Sequence, residues 1–522
     1  MKAIPLGKVV TEMPAGPRAV APPARTSPAP YRAYKPRPFT REERDHVTLL
    51  FGGLHWRAER IAQASLENLG YKVEVLPTAT REDLLTGREV ADIGQCSPTS
   101  FTTGNLANFL RGKAVEIGAD EVSRKYIYAT FGSCGACRFG QYHQSYELAL
   151  RNVGLESFRM FLVGQGVDQE EMAGDGLDVN LRFLLGMTWA IVLTDVVQDL
   201  EYQTRPYEVT PGATSQAAKE SVEYLYDVFR NMPSRGEKWG ALGWYVTTGY
   251  FARAMRDVRR RFEQVEVDRL RPRPVVKLTG EFYLQTVEGA ANYNIHRWLE
   301  AEGAEVYPAA ITIWLDYLMR FAGQDSEDHI GIDRYARLKL AGVRAGQGIL
   351  RWTYGRMRRA VGGVPHEIPN QKELRRLAAP YFNSRLSGGE GDMLIGKALW
   401  AHRHKKAHMI CELSPYSCMP NTMSIGAMAG VLGKHPDLLY APLEIKGDSE
   451  VHALSRCQMI LTEARKRAQR EYDEVMERIG IAPEKLAARA TPKMRKATYR
   501  VPRYGVAGTA ANFALHLAGG GR

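Results

Sequence analysis

Three short segments between residues 46 and 77 alternate in hydrophobic pattern, and this alternation limits the folds open to the chain. They are an apolar strand pattern, HVTLLFGG, an amphipathic helix pattern, WRAERIAQASLENLG, which ends at Gly70, and a second strand pattern, YKVEVLP. A strand, a helix and a strand in close succession predict a βαβ unit. The N-terminal part of the chain is therefore expected to be α/β.

The same alternation returns farther along the chain. Strand patterns occur in KYIYATFGS, VVKLTG, AEVYPAA, HMICEL and LLYAPLEI, whereas residues from about 165 to 270 are mainly helical in pattern. A chain of 522 residues is also long for a single core. We therefore expect an α/β protein with two Rossmann-like α/β domains, each with an open, mostly parallel sheet, and a helical segment between them.

The expected boundaries follow changes in composition and pattern. They are a Pro/Ala-rich flexible arm at residues 1–43, an N-terminal α/β domain with the cysteine loops at 44–164, a mainly helical segment at 165–272, a C-terminal α/β domain at 273–480 and a basic tail at 481–522. The arm has too few hydrophobic residues to pack against a core.

No segment is expected to cross a membrane. The longest apolar run, at residues 183–197, is interrupted by Asp195 and is too short to span a bilayer, so we expect a buried helix there. The N-terminus lacks the apolar core and the cleavage site of a secretory signal. These features favour a cytoplasmic protein whose thiols stay reduced.

The chain is basic, with 70 Lys and Arg against 58 Asp and Glu and a formal net charge of +12. Such a charge is compatible with nucleic acid, an acidic partner or a phosphate-bearing ligand. The densest basic runs lie at one helix end and in the tail: Arg256, Arg259, Arg260, Arg261, Lys493, Arg495, Lys496, Arg500 and Arg503. Runs of this kind are typical of solvated faces, and no nucleic-acid-binding motif accompanies them, so no nucleic-acid partner is expected.

Four cysteines lie in loops rich in glycine, proline and small polar residues. Cys134 and Cys137 are two residues apart in FGSCGACRFGQYHQ, Cys96 lies in GQCSPTSFTTGN, and Cys418 lies in SPYSCMPNTMS. We interpret these loops as following strands, at the sheet edge where α/β proteins bind ligands. A cleft between the two α/β domains would let Cys418 meet the other three, which is enough for one metal site.

Two kinds of metal site suit these thiols. An iron-sulfur cluster needs soft thiolates and backbone N–H groups, to which Gly132, Gly135 and Gly140 would give access. A structural zinc site also suits a Cys-x-x-Cys pair with two distant cysteines, and the residues alone do not separate the two. A redox disulfide between Cys134 and Cys137 is disfavoured because the loop lacks the Trp-Cys-x-x-Cys setting.

Other candidate residues have simpler interpretations. The spacing of His402, His404 and His408 does not put all three on one helix face, which favours a solvated helix end. Cys411, within a strand, and Cys457, within a helix, are expected to be small buried hydrophobic residues. His55 and His143 lie near the predicted pocket but are expected to be ordinary loop residues.

Three features near the cysteines carry charge. Arg138 would offset the negative charge of a thiolate site, and Glu281, at a strand end, would be a proton donor or a hydrogen-bonding anchor. The glycine turn at residues 388–391 precedes a helix, but Glu390 and Asp392 disfavour an anion there. We interpret it as a turn.

Six stretches, in order along the chain, resemble one known protein family. They are ADIGQCSPTSFTTGNL, CRFGQY, QTRPYEV, VKLTGEFYLQ with RWLEAEGAEVYP, GGEGDMLIGKALWA, and SPYSCMPN followed by IKGDSEVHALSR. On these stretches, which span about residues 46–465, the chain resembles the 2-hydroxyacyl-CoA dehydratase and benzoyl-CoA reductase superfamily. The closest resemblance is to its acyl-CoA dehydratase activase-related iron-sulfur proteins.

This resemblance implies a [4Fe–4S] cluster held by Cys96, Cys137 and Cys418, with Cys134 as an added thiol that could complete a four-cysteine set. It also implies an oxidoreductase or lyase component that takes electrons from an ATP-dependent activase or another low-potential donor, because the chain has no counterpart of the ATPase half. An acyl-CoA substrate or client subunit and a homodimer are further implications. The alternative is a zinc-stabilised scaffold or binding protein without redox activity.

Overall fold

The structure is a computed structural model that describes residues 37–132, 137–164, 175–233, 239–386 and 389–519. Residues 36–522 group as one compact unit. The unit contains two four-stranded parallel sheets with helices around them, which confirms the expected α/β fold with two Rossmann-like regions. Most of the predicted arm, Cys134 and Gly388 lie outside the described residues, and the domain boundaries given above stay predictions.

The first sheet has the strand order β2-β1-β3-β4. Its strands are β1 (Thr48–Gly52), β2 (Lys72–Leu76), β3 (Tyr126–Gly132) and β4 (Arg159–Gly164). Its helices are α1 (Trp56–Asn68), α2 (Arg81–Val90), α3 (Ser97–Ile117), α4 (Ala119–Lys125), the short 3-10 helix Arg138–Gln141, and α5 (Tyr142–Asn152). In register, Thr48 lies opposite both Lys72 and Tyr126, so β1 is a central strand.

The middle of the chain is helical, as the sequence predicts. Its helices are α6 (Leu181–Thr204), α7 (Ala213–Arg230), α8 (Trp239–Thr247) and α9 (Tyr250–Phe262). Within the described residues, one helical stretch, Leu181–Tyr207, is long and apolar enough to cross a membrane, but 78% of its most apolar window is buried inside the protein. The apolar run therefore forms the buried helix that its composition predicts, with Trp189 and Val196 in the core against α1, α7 and α9.

The second sheet repeats the topology of the first, with the order β6-β5-β7-β8. Its strands are β5 (Val275–Gly280), β6 (Glu305–Tyr307), β7 (Met409–Pro415) and β8 (Tyr440–Ile445). Its helices are α10 (Phe282–Thr286), α11 (Ile295–Ala301), α12 (Ile311–Asp328), α13 (Ala336–Ala360), α14 (Gln371–Ala378), α15 (Gly391–Arg403), α16 (Met419–Lys434) and α17 (Glu450–Ile479). Helices cover both faces, so every residue of β5 and β7 is buried.

The two sheet regions share a hydrophobic core. Leu84 of α2 and Phe101 of α3 pack in the same cluster as Val276 and Leu278 of β5. The described part of the tail also belongs to the folded unit, because α18 (Pro483–Ala487) and α19 (Thr509–Leu517) pack against the end of α17. The two halves are thus held in a fixed arrangement, which positions the cysteine loops relative to one another.

Candidate functional site

Each cysteine of the predicted site that the structure describes is the N-cap residue of a helix, directly before its first helical residue. Cys96 caps α3, Cys137 caps the short 3-10 helix before α5, and Cys418 caps α16. Two of these starts share the pattern Cys-x-Pro, with Pro98 and Pro420 in the first helical turn, where proline is well tolerated. A sulfur at a helix N-terminus lies near free backbone N–H groups, which favour the thiolate form.

Two of the three cysteines follow equivalent strands. Cys137 follows β3 and Cys418 follows β7, and each strand is third along the chain in its sheet and lies beside the first. This is the point where strand order reverses and where ligands bind in open α/β sheets. The prediction that every cysteine follows a strand is wrong for Cys96. A capping box between Thr80 and Asp83 starts α2 directly after β2, so a helix precedes this cysteine.

Residues beside the first-half cysteines make hydrogen bonds to the second sheet region. Arg138, beside Cys137, donates from Nε to the carbonyl oxygen of Ser417 at 3.1 Å and from Nη2 to its Oγ at 3.2 Å. Ser417 directly precedes the cysteine of the second half and has a left-handed backbone, with φ +66°. Ser97 donates from Oγ to the carbonyl oxygen of Ile445, at the end of β8, at 2.9 Å. Both cysteine loops of the first half therefore contact the carboxyl end of the second sheet.

The first-half sulfurs have polar partners. The Cys96 sulfur lies 3.1 Å from the Thr99 hydroxyl and 3.2 Å from the Tyr142 hydroxyl. The Phe139 amide donates to the Cys137 sulfur at 3.4 Å. Hydroxyl and amide groups of this kind are the partners that tune thiolates in metal and cluster sites.

The sulfur of the second half has a longer contact. The Cys418 thiol lies 3.8 Å from Asn421 Oδ1, and Asn421 in turn donates from Nδ2 to Glu412 Oε1 at 3.2 Å. Thr99 and Asn421 thus occupy the same position, three residues after a Cys-x-Pro helix start. The two starts are alike in sequence pattern and in which residue contacts the sulfur.

Burial raises the pKa of all three thiols, that of Cys137 to about 12. Nearby negative charge acts in the same direction, and Glu281 is a charged neighbour shared by Cys96, Cys137 and Cys418. Without a bound cation these thiols are protonated at neutral pH. A metal group that held them as thiolates would have to displace their protons.

Two carboxyl groups of the second half lie near the thiols. Glu281 is the first residue after β5, and its Oε2 accepts from the Leu284 amide at 3.0 Å. Burial, and then the charge of Glu390, raise the pKa of Glu281 to about 8. The carboxyl group of Glu281 therefore holds a proton at neutral pH, although the residue as a whole is half-buried. Glu390 begins α15, and burial raises its pKa despite the opposing charge of Lys397.

In the described part of the chain, no group of three or more His, Cys, Asp or Glu side chains is arranged to hold a metal ion. A single zinc ion with four thiolates at about 2.3 Å requires sulfurs only about 3.8 Å apart. An iron-sulfur cluster holds its thiolates farther apart, because each binds a different iron. The soft donor set on these loops is chemically suited to a cluster and also to zinc.

The other predicted candidates lie in ordinary structural settings. The three histidines near residue 400 lie by different carboxylates: His402 by Asp437, His404 by Glu373 and His408 by Glu471. His55 lies in the loop before α1, as predicted, and its Nδ1 accepts from the Ala58 amide. The loop prediction is wrong for His143, which lies within α5. Cys411 and Cys457 are fully buried beside each other, which confirms the prediction that they are small core residues.

Sequence reasoning missed a buried polar network behind the second sheet edge. Lys397 donates from Nζ to Gln285 Oε1 at 3.3 Å, and burial lowers its pKa to about 8. Burial raises the pKa of Glu412, on β7, to about 7. Lys277, on β5, is also buried and donates from Nζ to the carbonyl oxygen of Pro308 at 2.7 Å. A charged residue inside an apolar strand pattern, as in VVKLTG and MICELSP, is the signal that could have identified this network.

No protein-family model and no curated protein matches the chain. The residues that the fold brings together and the six sequence stretches that resemble a known family are the two indications of function. The two indications concern the same cysteines, since Cys96, Cys137 and Cys418 lie both in the loops described above and within the six stretches.

Proposed function

We propose that the chain is an iron-sulfur electron-transfer or reductase component related to the 2-hydroxyacyl-CoA dehydratases and their activases. Cys96, Cys137 and Cys418 hold the cluster, of [4Fe–4S] type, and Cys134, which lies outside the described residues, is a fourth ligand or a neighbour. One observation carries the proposal: residues beside all three cysteines make hydrogen bonds that join the first-half loops to the edge of the second sheet. Such a junction suits one inorganic group shared by both halves.

The polar partners of the sulfurs support this role. A bound cluster supplies one-electron transfer at low potential. The hydroxyl groups of Thr99 and Tyr142 stabilise negative charge on the Cys96 sulfur, and the Phe139 amide does so at Cys137. The protein therefore offers donors where charge would increase on reduction.

The carboxyl group of Glu281 supports a reductase over a simple carrier. It holds a proton at neutral pH, lies among the charged neighbours of all three thiols and keeps some contact with solvent. A group with these properties is suited to give a proton to a substrate that accepts electrons at the same place. Glu390 is a charged neighbour of Glu281 and in turn has Lys397 as its own charged neighbour.

The proposed partners follow from the resemblance. Electrons come from a separate ATP-dependent activase or another low-potential donor in the cytoplasm, and they go to an acyl-CoA substrate or a client subunit. A homodimer is the expected assembly. Three cysteine ligands would leave one iron open to a substrate, whereas four would close it, so Cys134 decides between an enzyme and a carrier.

Metal analysis of anaerobically purified protein tests the proposal. We expect a brown protein with iron and acid-labile sulfide, and loss of most of the iron in Cys96→Ala, Cys137→Ala and Cys418→Ala. The matched control is Cys457→Ala, which removes a fully buried thiol from α17 and should keep the iron. Colourless protein loaded with zinc would instead support the zinc-stabilised scaffold. If Cys418→Ala kept the iron content of the wild type, the site would not be shared by the two halves.

Cys134→Ala separates the enzyme from the carrier. If Cys134 is not a ligand, the variant keeps its iron and sulfide, and the site has an open iron for a substrate. If it is the fourth ligand, the variant loses iron or changes its electron paramagnetic resonance spectrum. The second result would favour a carrier over a reductase.

A further inference from the structure

A cavity of about 690 Å³ lies between α12, α13 and α14, and none of the cysteines lines it. A volume of this size is in the range of small-molecule sites, which are about 300 to 1,000 Å³. Its lining includes six Lys and Arg side chains and a single acidic one, Glu327. The cavity is therefore strongly basic, and neither the cluster proposal nor the family resemblance uses it.

Part of this positive charge is neutralised and part is not. Three arginines are held by carboxylates: Arg320 by Asp392 at 2.8 Å, Arg344 by Glu327 at 2.7 Å, and Arg351 by Asp316 at 2.7 Å. A fourth, Arg376, is 4.0 Å from Glu373. Lys372 and Arg375, both on α14, have no ion pair or side-chain hydrogen bond in the described part of the chain. One wall therefore has two cations without a direct ion pair, of which Arg375 lies close enough to Asp392 to lower the pKa of that carboxyl group.

A buried arginine adds to this excess. Arg320 is only 8% exposed, and its Nη2 donates to Asp392, but its Nε and Nη1 are buried without a partner among the described residues. Unpaired buried donors are costly, and their positive potential is only weakly screened by solvent. Gln371 in the same wall has a buried Oε1 without a partner. The free donors of Arg320 favour a negatively charged occupant, and the free acceptor of Gln371 favours one that also carries an N–H or O–H group.

The cavity also has an apolar part, formed by Met319, Leu340 and Val343. We propose that it binds a nucleotide-sized organic phosphate, whose phosphate groups lie by Lys372 and Arg375 and whose uncharged body packs on this apolar part. Charge-assisted hydrogen bonds from Lys and Arg to phosphate are among the stronger polar contacts. The apolar wall is what distinguishes an organic phosphate from a bare inorganic anion.

Calorimetric titration of the full chain with ADP and with inorganic pyrophosphate tests this site. We expect one ADP site per chain and weaker binding of pyrophosphate, because pyrophosphate has no body to pack on the apolar wall. The double variant Lys372→Ala/Arg375→Ala should bind ADP at least about tenfold more weakly, as expected for two lost charge-assisted contacts. The matched control is Arg337→Ala, an exposed arginine on α13 outside the cavity, which should leave ADP binding unchanged.

A steric variant tests the cavity without changing charge. Gly348 lies in the cavity wall on α13, and a side chain added there meets no atom within 4 Å, so Gly348→Leu should fold and fill the space. It should abolish ADP binding. Gly342→Leu, at an equally open position of α13 outside the cavity, is its control. Wild-type binding in Gly348→Leu, equal weakening in either control, or no saturable ADP binding to the wild type would each overturn the proposal.

Discussion

The two sheet regions have one topology but differ in how deeply they are buried. The orders β2-β1-β3-β4 and β6-β5-β7-β8 are equivalent when strands are counted within each sheet. Every residue of β5, β6 and β7 is buried, whereas only two of five are buried in β1 and one of five in β2. We therefore expect the second sheet to be the more rigid of the two and the first sheet to be the more accessible to solvent.

The residues at equivalent edge positions differ in chemistry. A cysteine follows the third strand in both halves, as Cys137 and Cys418. Between the second and third strands, a helix begins at Cys96 in the first half and at Glu390 in the second. After the first strand, a helix begins at His55 in one and Glu281 in the other. The first half therefore provides most of the thiols, and the second provides Glu281 and Glu390, two carboxyl groups whose pKa burial raises.

The largest expected effect is at the junction between the halves. Arg57 of α1 is 1% exposed and pairs with Glu201 of α6 and with Glu288, which follows α10. Arg57→Met removes the buried cation that these two carboxylates share. Glu201 keeps its pair with Arg205, but Glu288 has no other ion pair in the described part of the chain, so the free energy of unfolding should fall by about 3–5 kcal/mol. Guanidinium unfolding measures this. Arg60→Met, on the same helix, breaks an exposed pair with Glu223 and should cost under about 1 kcal/mol. If both variants lost the same free energy of unfolding, the ion pairs of Arg57 would not stabilise the contact between the two halves.

The next largest effect is expected at the glycines that end the first strand of each sheet. Gly280 has φ +134°, and an added Cβ would lie 2.2 Å from the carbonyl oxygen of Leu413 in β7, which is backbone and cannot move aside. Gly52 has φ +113°, and its Cβ would meet a side-chain atom of Val75 at 2.8 Å. We expect Gly280→Ala to cost roughly 3 kcal/mol or more and Gly52→Ala roughly 1–2 kcal/mol, measured by thermal unfolding. The reverse order would contradict the view that the second sheet is the more rigid.

Local patterns in the sequence identified the fold class and seven of the eight strands that the structure describes, because apolar runs and amphipathic helices leave a periodic signal. The strand β4 was not predicted. Strand order within each sheet could not be read in the same way, since the pairing of Thr48 with Tyr126 joins residues far apart in the chain. The position of Cys96 after a helix was missed because α2 depends on a cap formed by Thr80 and Asp83.

The candidate site was only partly predictable for a related reason. Cys137 and Cys418 were found because each lies in a glycine- or proline-rich loop after a clear strand pattern. The buried partners Lys397 and Glu412 were missed, because a charged residue in a sequence is normally interpreted as exposed. Only the packing of helices on both faces of the second sheet places these charges inside.

The two residues that follow the first strands should give opposite pH dependences. Burial, and then the charge of Arg57, lower the pKa of His55 from 6.5 to about 4, with Glu288 opposing and His296 adding to the shift. The neutral form is favoured in the folded protein, so the stability linked to His55 is present above pH 6.5 and is lost as the pH falls to about 4. The loss is up to about 3 kcal/mol. His55→Asn keeps a helix-capping acceptor without a titrating group, and its unfolding free energy should fall less between pH 6.5 and 4.

Glu281 should behave in the opposite way in the second half. Its pKa is raised from 4.5 to about 8, so the stability linked to its protonated form is present below pH 4.5 and is lost as the pH rises to about 8. Glu281→Gln keeps the acceptor for the Leu284 amide and should be more stable than the wild type at pH 8 but not at pH 4.5. If the difference in stability between Glu281→Gln and the wild type did not change with pH, Glu281 would not titrate between pH 4.5 and 8 and the prediction would be wrong.

The smallest expected effect concerns the sulfur partners of the first half. Tyr142→Phe removes the hydroxyl group 3.2 Å from the Cys96 sulfur and leaves Thr99 in place. If the proposed cluster is bound, the loss of one hydrogen bond worth about 0.5–1.5 kcal/mol should lower its reduction potential by roughly 20–60 mV in a redox titration. Tyr146→Phe is the control, because its hydroxyl group donates to Thr102 and not to a sulfur. If Tyr142→Phe and Tyr146→Phe shifted the reduction potential equally, the potential would respond to general packing. The hydrogen bond from Tyr142 to the Cys96 sulfur would then not tune the cluster.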